Sequence, residues 1–149
     1  TLSVINAFGE VSLTALVMVF TIGPLTDTLA YLVGTTLKGP KLCPAISPNK
    51  TVSGAIGGLL GGIIASVLTY IIFTPDIAMS MPLTIAVFVL AGAIGSMINQ
   101  AGDLVESYIK RRIGIKDMGK IMPGHGGVLD RVDGVMFVSL FVAILFAIL

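Results

Sequence analysis

Between Asp103 and Asp133 the chain gathers five of its eight acidic residues, six of its nine Lys and Arg residues and its only histidine. The first part reads GDLVESYIKRRIGIKDMGK, and on a helix Asp103, Glu106 and Lys110 fall at i, i+3 and i+7, on one face. The last part holds Asp130, Arg131 and Asp133 directly before an apolar tail. Carboxylates from separate segments beside several cations suit magnesium-dependent phosphate chemistry. Magnesium is commonly held by one or two carboxylates plus substrate phosphates, while Lys and Arg meet phosphate oxygens as a point charge and a planar fork. In PGHGG, Gly126 and Gly127 let the backbone pass close to a ligand because glycine has no side chain. His125 has neither Cys partners nor a second His for a zinc site; it suits proton transfer, a hydrogen bond to phosphate, or bracing of the loop. Each feature has a plainer alternative. Taken by themselves, Asp103, Glu106 and Lys110 describe equally a solvated helix end laced by ion pairs.

The elements that must position these residues are membrane helices. Of 149 residues 55% are hydrophobic and 11% charged, and the mean hydropathy is +1.02; soluble domains carry about 25% charged residues. A net charge of +1 argues against a nucleic-acid partner, which requires a basic face. The single cysteine, Cys43, reads as a small buried hydrophobe. No basic segment, apolar core and small-residue cleavage site open the sequence, so no signal peptide is expected, and the chain is expected to begin inside a longer protein.

A spanning helix needs about 20 mostly apolar residues. Four segments qualify: Val11 to Gly34, Gly54 to Phe73, Pro82 to Ile98 with an extension toward Asp103, and Val132 or Val135 to Leu149. The stretch LKGPKLCPAISPNKT, rich in proline and lysine, reads as a loop. Crossing two spans returns the chain to its starting side, so this loop and the Asp103 to Asp133 block share one face, which carries all nine Lys and Arg residues. The positive-inside bias places that face in the cytoplasm. Gly54, Gly58 and Gly62, with Gly57, Gly61 and Ala65 on the neighbouring row, predict close helix packing rather than a phosphate loop, since no Gly-x-x-x-x-Gly-Lys-Ser/Thr run is present. Ala91, Gly92, Gly95 and Ser96 give the third span a similar face. The expected fold is all-α, a polytopic transmembrane bundle of about four spans forming a single domain over 1–149, with a site facing the cytoplasm. A homodimer is expected from the packing of helices around polar residues. Asp27 lies inside the first span as a buried-looking charge between Thr26 and Thr28; such a residue is expensive in a membrane and therefore a site candidate.

SYIKRRIGIKDMGKIMPGHGGVLDRVD, from Ser107 to Asp133, closely resembles the signature of the phosphatidate cytidylyltransferases, or CDP-diacylglycerol synthases. TDTLAYLVG from Thr26 and KLCPAISPNKTVSGAIGG from Lys41 resemble the same family, so the likeness covers most of the chain. Met122 stands where the family usually has Leu, Ile or Phe, the tryptophans common near these motifs are absent, and family members are commonly longer, with additional N-terminal spans. The resemblance implies condensation of CTP with phosphatidic acid in the membrane, giving CDP-diacylglycerol and pyrophosphate, with Mg2+ and room for a second metal ion. Carried over by motif, Asp103 and Asp130 are implied metal ligands, with Asp133 and Asp27 as further candidates. Lys50, Lys110, Arg111, Lys116 and Arg131 are implied phosphate-binding groups, and Ser47, Pro48 and Thr51 part of the nucleotide loop.

The alternative from another class is a cation-coupled transporter or channel, with Asp27 and the glycine-rich helices lining an ion path. An alcohol phosphotransferase would need an Asp-Gly-x-x-Ala-Arg run, which is missing. A structural membrane subunit is a further alternative if other segments hold the catalytic groups.

Overall fold

The computed structural model describes residues 2–73, 80–114 and 129–148, with side chains at 13–73, 80–114 and 134–147. Its elements are α1 (Leu2–Leu37), a hairpin of β1 (Lys41–Cys43) and β2 (Ser47–Thr51), α2 (Val52–Phe73), α3 (Met81–Ile113) and α4 (Leu129–Ile148). Among the described residues three helical segments, Leu13–Leu37, Val52–Phe73 and Met81–Ile113, are long and apolar enough to cross a membrane, and α4 adds a shorter apolar run, Gly134–Ala147. This is the expected all-α polytopic bundle.

The boundaries have local causes. Lys38 takes a left-handed φ of 46° immediately after α1, and its N–H donates to the Gly34 carbonyl at 3.2 Å. Pro24 lies inside α1; the proline ring leaves the turn before it short of one hydrogen bond. Thr51 caps α2, its Oγ1 accepting the Gly54 N–H at 3.1 Å, which satisfies one of the four donors a helix start leaves open. Pro82 sits in the first turn of α3, where no N–H is needed. Gly114, at φ 74°, closes α3 with its N–H on the Arg111 carbonyl. The helix therefore continues well beyond its apolar part, and Asp103, Glu106 and Lys110 do lie on one helical face.

The segment expected to be a loop instead forms an antiparallel hairpin, pairing Lys41 with Thr51 and Cys43 with Ser47. Its turn is closed by the Ile46 N–H on the Cys43 carbonyl. Two strands leave every strand at an edge, so Pro48 is tolerated in β2. The hairpin is tied to the helices by the Val52 N–H on the Pro40 carbonyl at 2.9 Å and the Gly39 N–H on Ser53 Oγ at 3.2 Å.

Small residues bring the helices together as expected. Every residue of the α2 row from Gly54 through Gly57, Gly58, Gly61, Gly62 and Ala65 is buried. A Cβ on Gly61 would stand 2.5 Å from the Leu25 carbonyl oxygen, so α1 and α2 meet backbone to backbone. A Cβ on Gly62 would meet α3 equally closely, at the Gly92 oxygen and Ser96 Cβ. Hydrogen bonds cross that seam: Ser66 Oγ donates to the Phe88 carbonyl at 2.7 Å and Ser96 Oγ to the Gly58 carbonyl at 2.8 Å. Packing and polar bonds supply association where lipid removes the hydrophobic drive. At the far end Phe88 packs against Tyr70 and Phe146, with centroids 5.0 and 6.4 Å away, among Met18, Ile22, Val138 and Val142.

Candidate functional site

The end of α1, the hairpin, the start of α2 and the polar part of α3 surround an open cleft of about 710 Å3. Asp27 comes from α1, Lys50 and Thr51 from β2, and Asp103 from α3, all lining it. Asp27 is ten residues before the end of α1, so the cleft reaches roughly 15 Å into the bundle at 1.5 Å per residue. Lys50 Nζ lies 3.1 Å from Asp103 Oδ2, with both side chains partly open to solvent. This contact joins the hairpin to the charged end of α3 and confirms that the two stretches share a face.

Asp27 takes the setting of a site candidate. Its side chain is exposed to the cleft rather than buried between helices. Its Oδ1 accepts a 2.9 Å hydrogen bond from Asn99 Nδ2. The reason lies in register: Thr26 packs inward against α2, and one residue further the helix turns by about 100°.

The remaining sequence candidates are placed less centrally. Thr51 lines the cleft, but its hydroxyl is engaged as the α2 cap and also accepts from Ser53 Oγ at 3.2 Å. Ser47 and Pro48 begin β2, outside the cleft lining. Lys110 is bound to Glu106 by a 2.8 Å ion pair one turn away, with each side chain about one-seventh exposed. Arg111 is exposed on the last turn of α3. Lys116, His125, Gly126 and Gly127 lie outside the described residues. Asp130, Arg131 and Asp133 belong to the first turn and a half of α4, and their side chains lie outside the described ones.

Lys38, Lys41 and Gln100 also line the cleft and were not singled out from the sequence. The two lysines had a signal, since they belong to the basic stretch beside Lys50. Gln100 had none, because its side chain is held by the Ala55 carbonyl and Ser96 Oγ through a tertiary arrangement.

Among the described residues no group of three or more His, Cys, Asp or Glu side chains forms a metal cage. Asp27 and Asp103 nevertheless offer two carboxylates to one cleft. That donor set fits a hard cation completing its shell with substrate oxygens rather than one caged by protein.

The cytidylyltransferase family model matches residues 1–149. The chain belongs to the cytidylyltransferase family. Among similar proteins, a phosphatidate cytidylyltransferase of Brucella abortus biovar 1 (strain 9-941) is 40% identical over 135 residues, covering 91% of this chain and 47% of that protein. The phosphatidate cytidylyltransferase of Staphylococcus saprophyticus is 45% identical over 114 residues, 76% of this chain and 42% of its own. That of Staphylococcus epidermidis (strain ATCC 12228) is 44% identical over the same length. The chain thus spans about half the length of the curated relatives it matches. For a member of the cytidylyltransferase family the transporter alternative has no support, and Asp27 shares its cleft with Lys50 and Asp103 rather than standing alone on an ion path.

Proposed function

We propose that this chain carries the catalytic half of a phosphatidate cytidylyltransferase, which joins CTP to phosphatidic acid and releases pyrophosphate. The observation that carries the reading is the cleft in which Lys50 and Asp103 meet at 3.1 Å, in a chain of the cytidylyltransferase family.

A phosphate oxygen of phosphatidic acid attacks the α-phosphorus of CTP; the new P–O bond forms as the bond to the β-phosphate oxygen breaks, and pyrophosphate leaves. Catalysis of such a transfer is mostly positioning and electrostatic stabilisation. Lys38, Lys41 and Lys50 line the cleft and offset the charge of the triphosphate and of the lipid phosphate. Asp103, with Asp27 and the α4 aspartates Asp130 and Asp133, would hold Mg2+, which when bound draws charge from the transferring phosphoryl group. Lys110, Arg111, Lys116, Arg131 and His125 belong to the same proposal as phosphate-binding or proton-handling groups, Ser47, Pro48 and Thr51 as part of the nucleotide loop, and Gly126 and Gly127 as ligand-adjacent backbone. A second metal ion has room in it, shared among these carboxylates.

The basic end of the bundle faces the cytoplasm in this proposal, on the positive-inside bias. That placement gives the cleft access to a soluble nucleotide from one side and to lipid from the flank of α1, where Tyr31 is exposed and lines the same cleft. Assembly as a homodimer is also proposed, supported by the tight packing of helices around polar residues.

The test is pyrophosphate release and CDP-lipid formation by the purified full chain in detergent, given CTP, phosphatidic acid and Mg2+. Product that requires both lipid and metal, and that disappears with chelator, is the expected result. A folded sample that binds CTP without forming product would sink the claim that this half suffices; absence of CTP binding would sink the proposal itself.

A further inference from the structure

Gln100 lies half-buried on α3 and lines the cleft. Its Nε2 donates to the Ala55 carbonyl of α2 at 3.3 Å and to Ser96 Oγ, one turn back, at 3.2 Å. Those partners fix the orientation of the amide. A carbonyl oxygen can only accept. The Ser96 hydroxyl places its own hydrogen on the Gly58 carbonyl at 2.8 Å, so towards Gln100 it accepts as well. Both N–H bonds are therefore committed to the wall, and the NH2 group and the oxygen cannot exchange places without setting oxygen against oxygen. What the amide has left is Oε1, an acceptor, and among the described residues no donor meets it.

The surroundings of this amide suit a flat, uncharged group. Ala30, Gly54 and Ala55 line the cleft with it. A Cβ on Gly54 would stand 2.8 Å from the Ala30 carbonyl oxygen, and one on Gly58 would stand 3.0 Å from Gln100 Nε2 and 3.2 Å from Ala30 Cβ. These small residues form one wall in which the amide is the hydrogen-bonding side chain. Asp103 follows Gln100 by three residues, an adjoining position on the same helix, and meets Lys50 at 3.1 Å. Within one turn the cleft thus passes from a neutral acceptor to charges suited to phosphate. A nucleotide has the same polarity along its length, with the base at one end and the phosphates at the other.

We infer that Gln100 is the specificity-determining residue of the cleft: its Oε1 accepts a hydrogen bond from the exocyclic amino group of cytosine and so selects CTP over UTP. The inference rests on the proposed function for the class of nucleotide, and adds which edge of the base is read and by which atom. Cytosine presents an N4 amino donor where uracil, like thymine, presents the O4 acceptor. With UTP two acceptor oxygens face each other, and Gln100 cannot turn its NH2 group to O4 without breaking its bonds to Ala55 and Ser96. A site built to bond one group rejects the analogue lacking it because its own polar atom is left unpaired.

The test is calorimetric binding of four ligands to the full chain in detergent with Mg2+: CTP, UTP, 2′-deoxy-CTP and the triphosphate of pyrimidin-2-one riboside, which is cytidine without the amino group. CTP and 2′-deoxy-CTP are expected to bind alike, and the other two about tenfold more weakly or worse, the scale of one hydrogen bond left unmade. Gln100→Met keeps the side-chain length and removes the acceptor. In it the four ligands should bind within about threefold of one another, because removing the group from the protein or from the ligand breaks the same bond. Should the methionine variant not fold, Ser96→Ala releases one of the two holds on the amide, and its preference for CTP over UTP should fall several-fold. Equal binding of CTP and UTP by the unaltered chain, a preference kept intact in the variant that folds, or a loss confined to 2′-deoxy-CTP would each overturn the inference, the last by giving the oxygen to the ribose. Absence of nucleotide binding would overturn both the inference and the proposed function. A chain that selects CTP through Gln100 but forms no CDP-lipid would defeat the proposed function alone, and a chain that forms CDP-lipid with a base preference indifferent to Gln100 would defeat the inference alone.

Discussion

Lys50 in the hairpin and Asp103 on α3, 53 residues apart in sequence, form a 3.1 Å charge-assisted hydrogen bond in the lining of the cleft. A lysine suited to phosphate and a carboxylate suited to metal are thus each other's partner before either ligand arrives. In the proposed function, binding of a metal nucleotide would exchange this contact for two others. Substituting Lys50→Met should therefore do opposite things: weaken CTP binding by about tenfold or more, the scale of a lost bond to a charged group, and strengthen Mn2+ binding in the absence of nucleotide. Calorimetry with CTP and paramagnetic resonance with Mn2+ separate the two; a loss of both affinities would show that the lysine only holds the fold.

Asp103→Asn removes the charge while keeping the shape and an acceptor for Lys50. Turnover should fall at least 10²-fold, the scale seen when one preorganised electrostatic group is lost, with the melting temperature within a few degrees of the unaltered chain. Asp130→Asn is expected to act alike. Activity retained in both would remove these residues from the metal site.

Thr51 serves both the helix and the cleft wall. Thr51→Ala should destabilise by about 1 kcal/mol through loss of the cap, with faster amide exchange at Ser53 and Gly54, while Thr51→Ser restores both. If the serine variant restores exchange protection but not turnover, the methyl group matters to the cleft as well.

Gly61→Val tests the backbone contact between α1 and α2. The added Cβ meets the Leu25 carbonyl oxygen, which no side-chain movement relieves, so destabilisation at or above the usual 1–3 kcal/mol for overpacking is expected. Thermal unfolding in detergent reads it; an unchanged melting temperature would mean that the helices can separate without loss.

Much of this was legible along the chain. The helices, their small-residue faces and the shared face of the two basic stretches follow from local rules: lipid permits only internally bonded backbone, glycine rows mark close approach, and an even number of crossings returns the chain to its starting side. The charged block and its motif resembled the cytidylyltransferases, the family whose model matches residues 1–149. The hairpin was hidden because Pro and Lys suppress the alternation that marks a strand, and its two strands are held by docking onto α2 rather than by burying a face.

What only the tertiary structure decided is which charges meet. Asp27 was a site candidate by sequence because it is a charge inside an apolar span, but only helix register decides that it faces the cleft, and nothing in the local pattern could specify that Asn99, 72 residues away, would bond it. Lys50 and Asp103 likewise owe their contact to the end of one hairpin and the continuation of one helix beyond its apolar part. Composition and periodicity follow from each residue's own preference for lipid, water or a neighbouring turn. Pairings between distant residues depend on the crossing of helices set by glycine contacts elsewhere, which no local preference encodes.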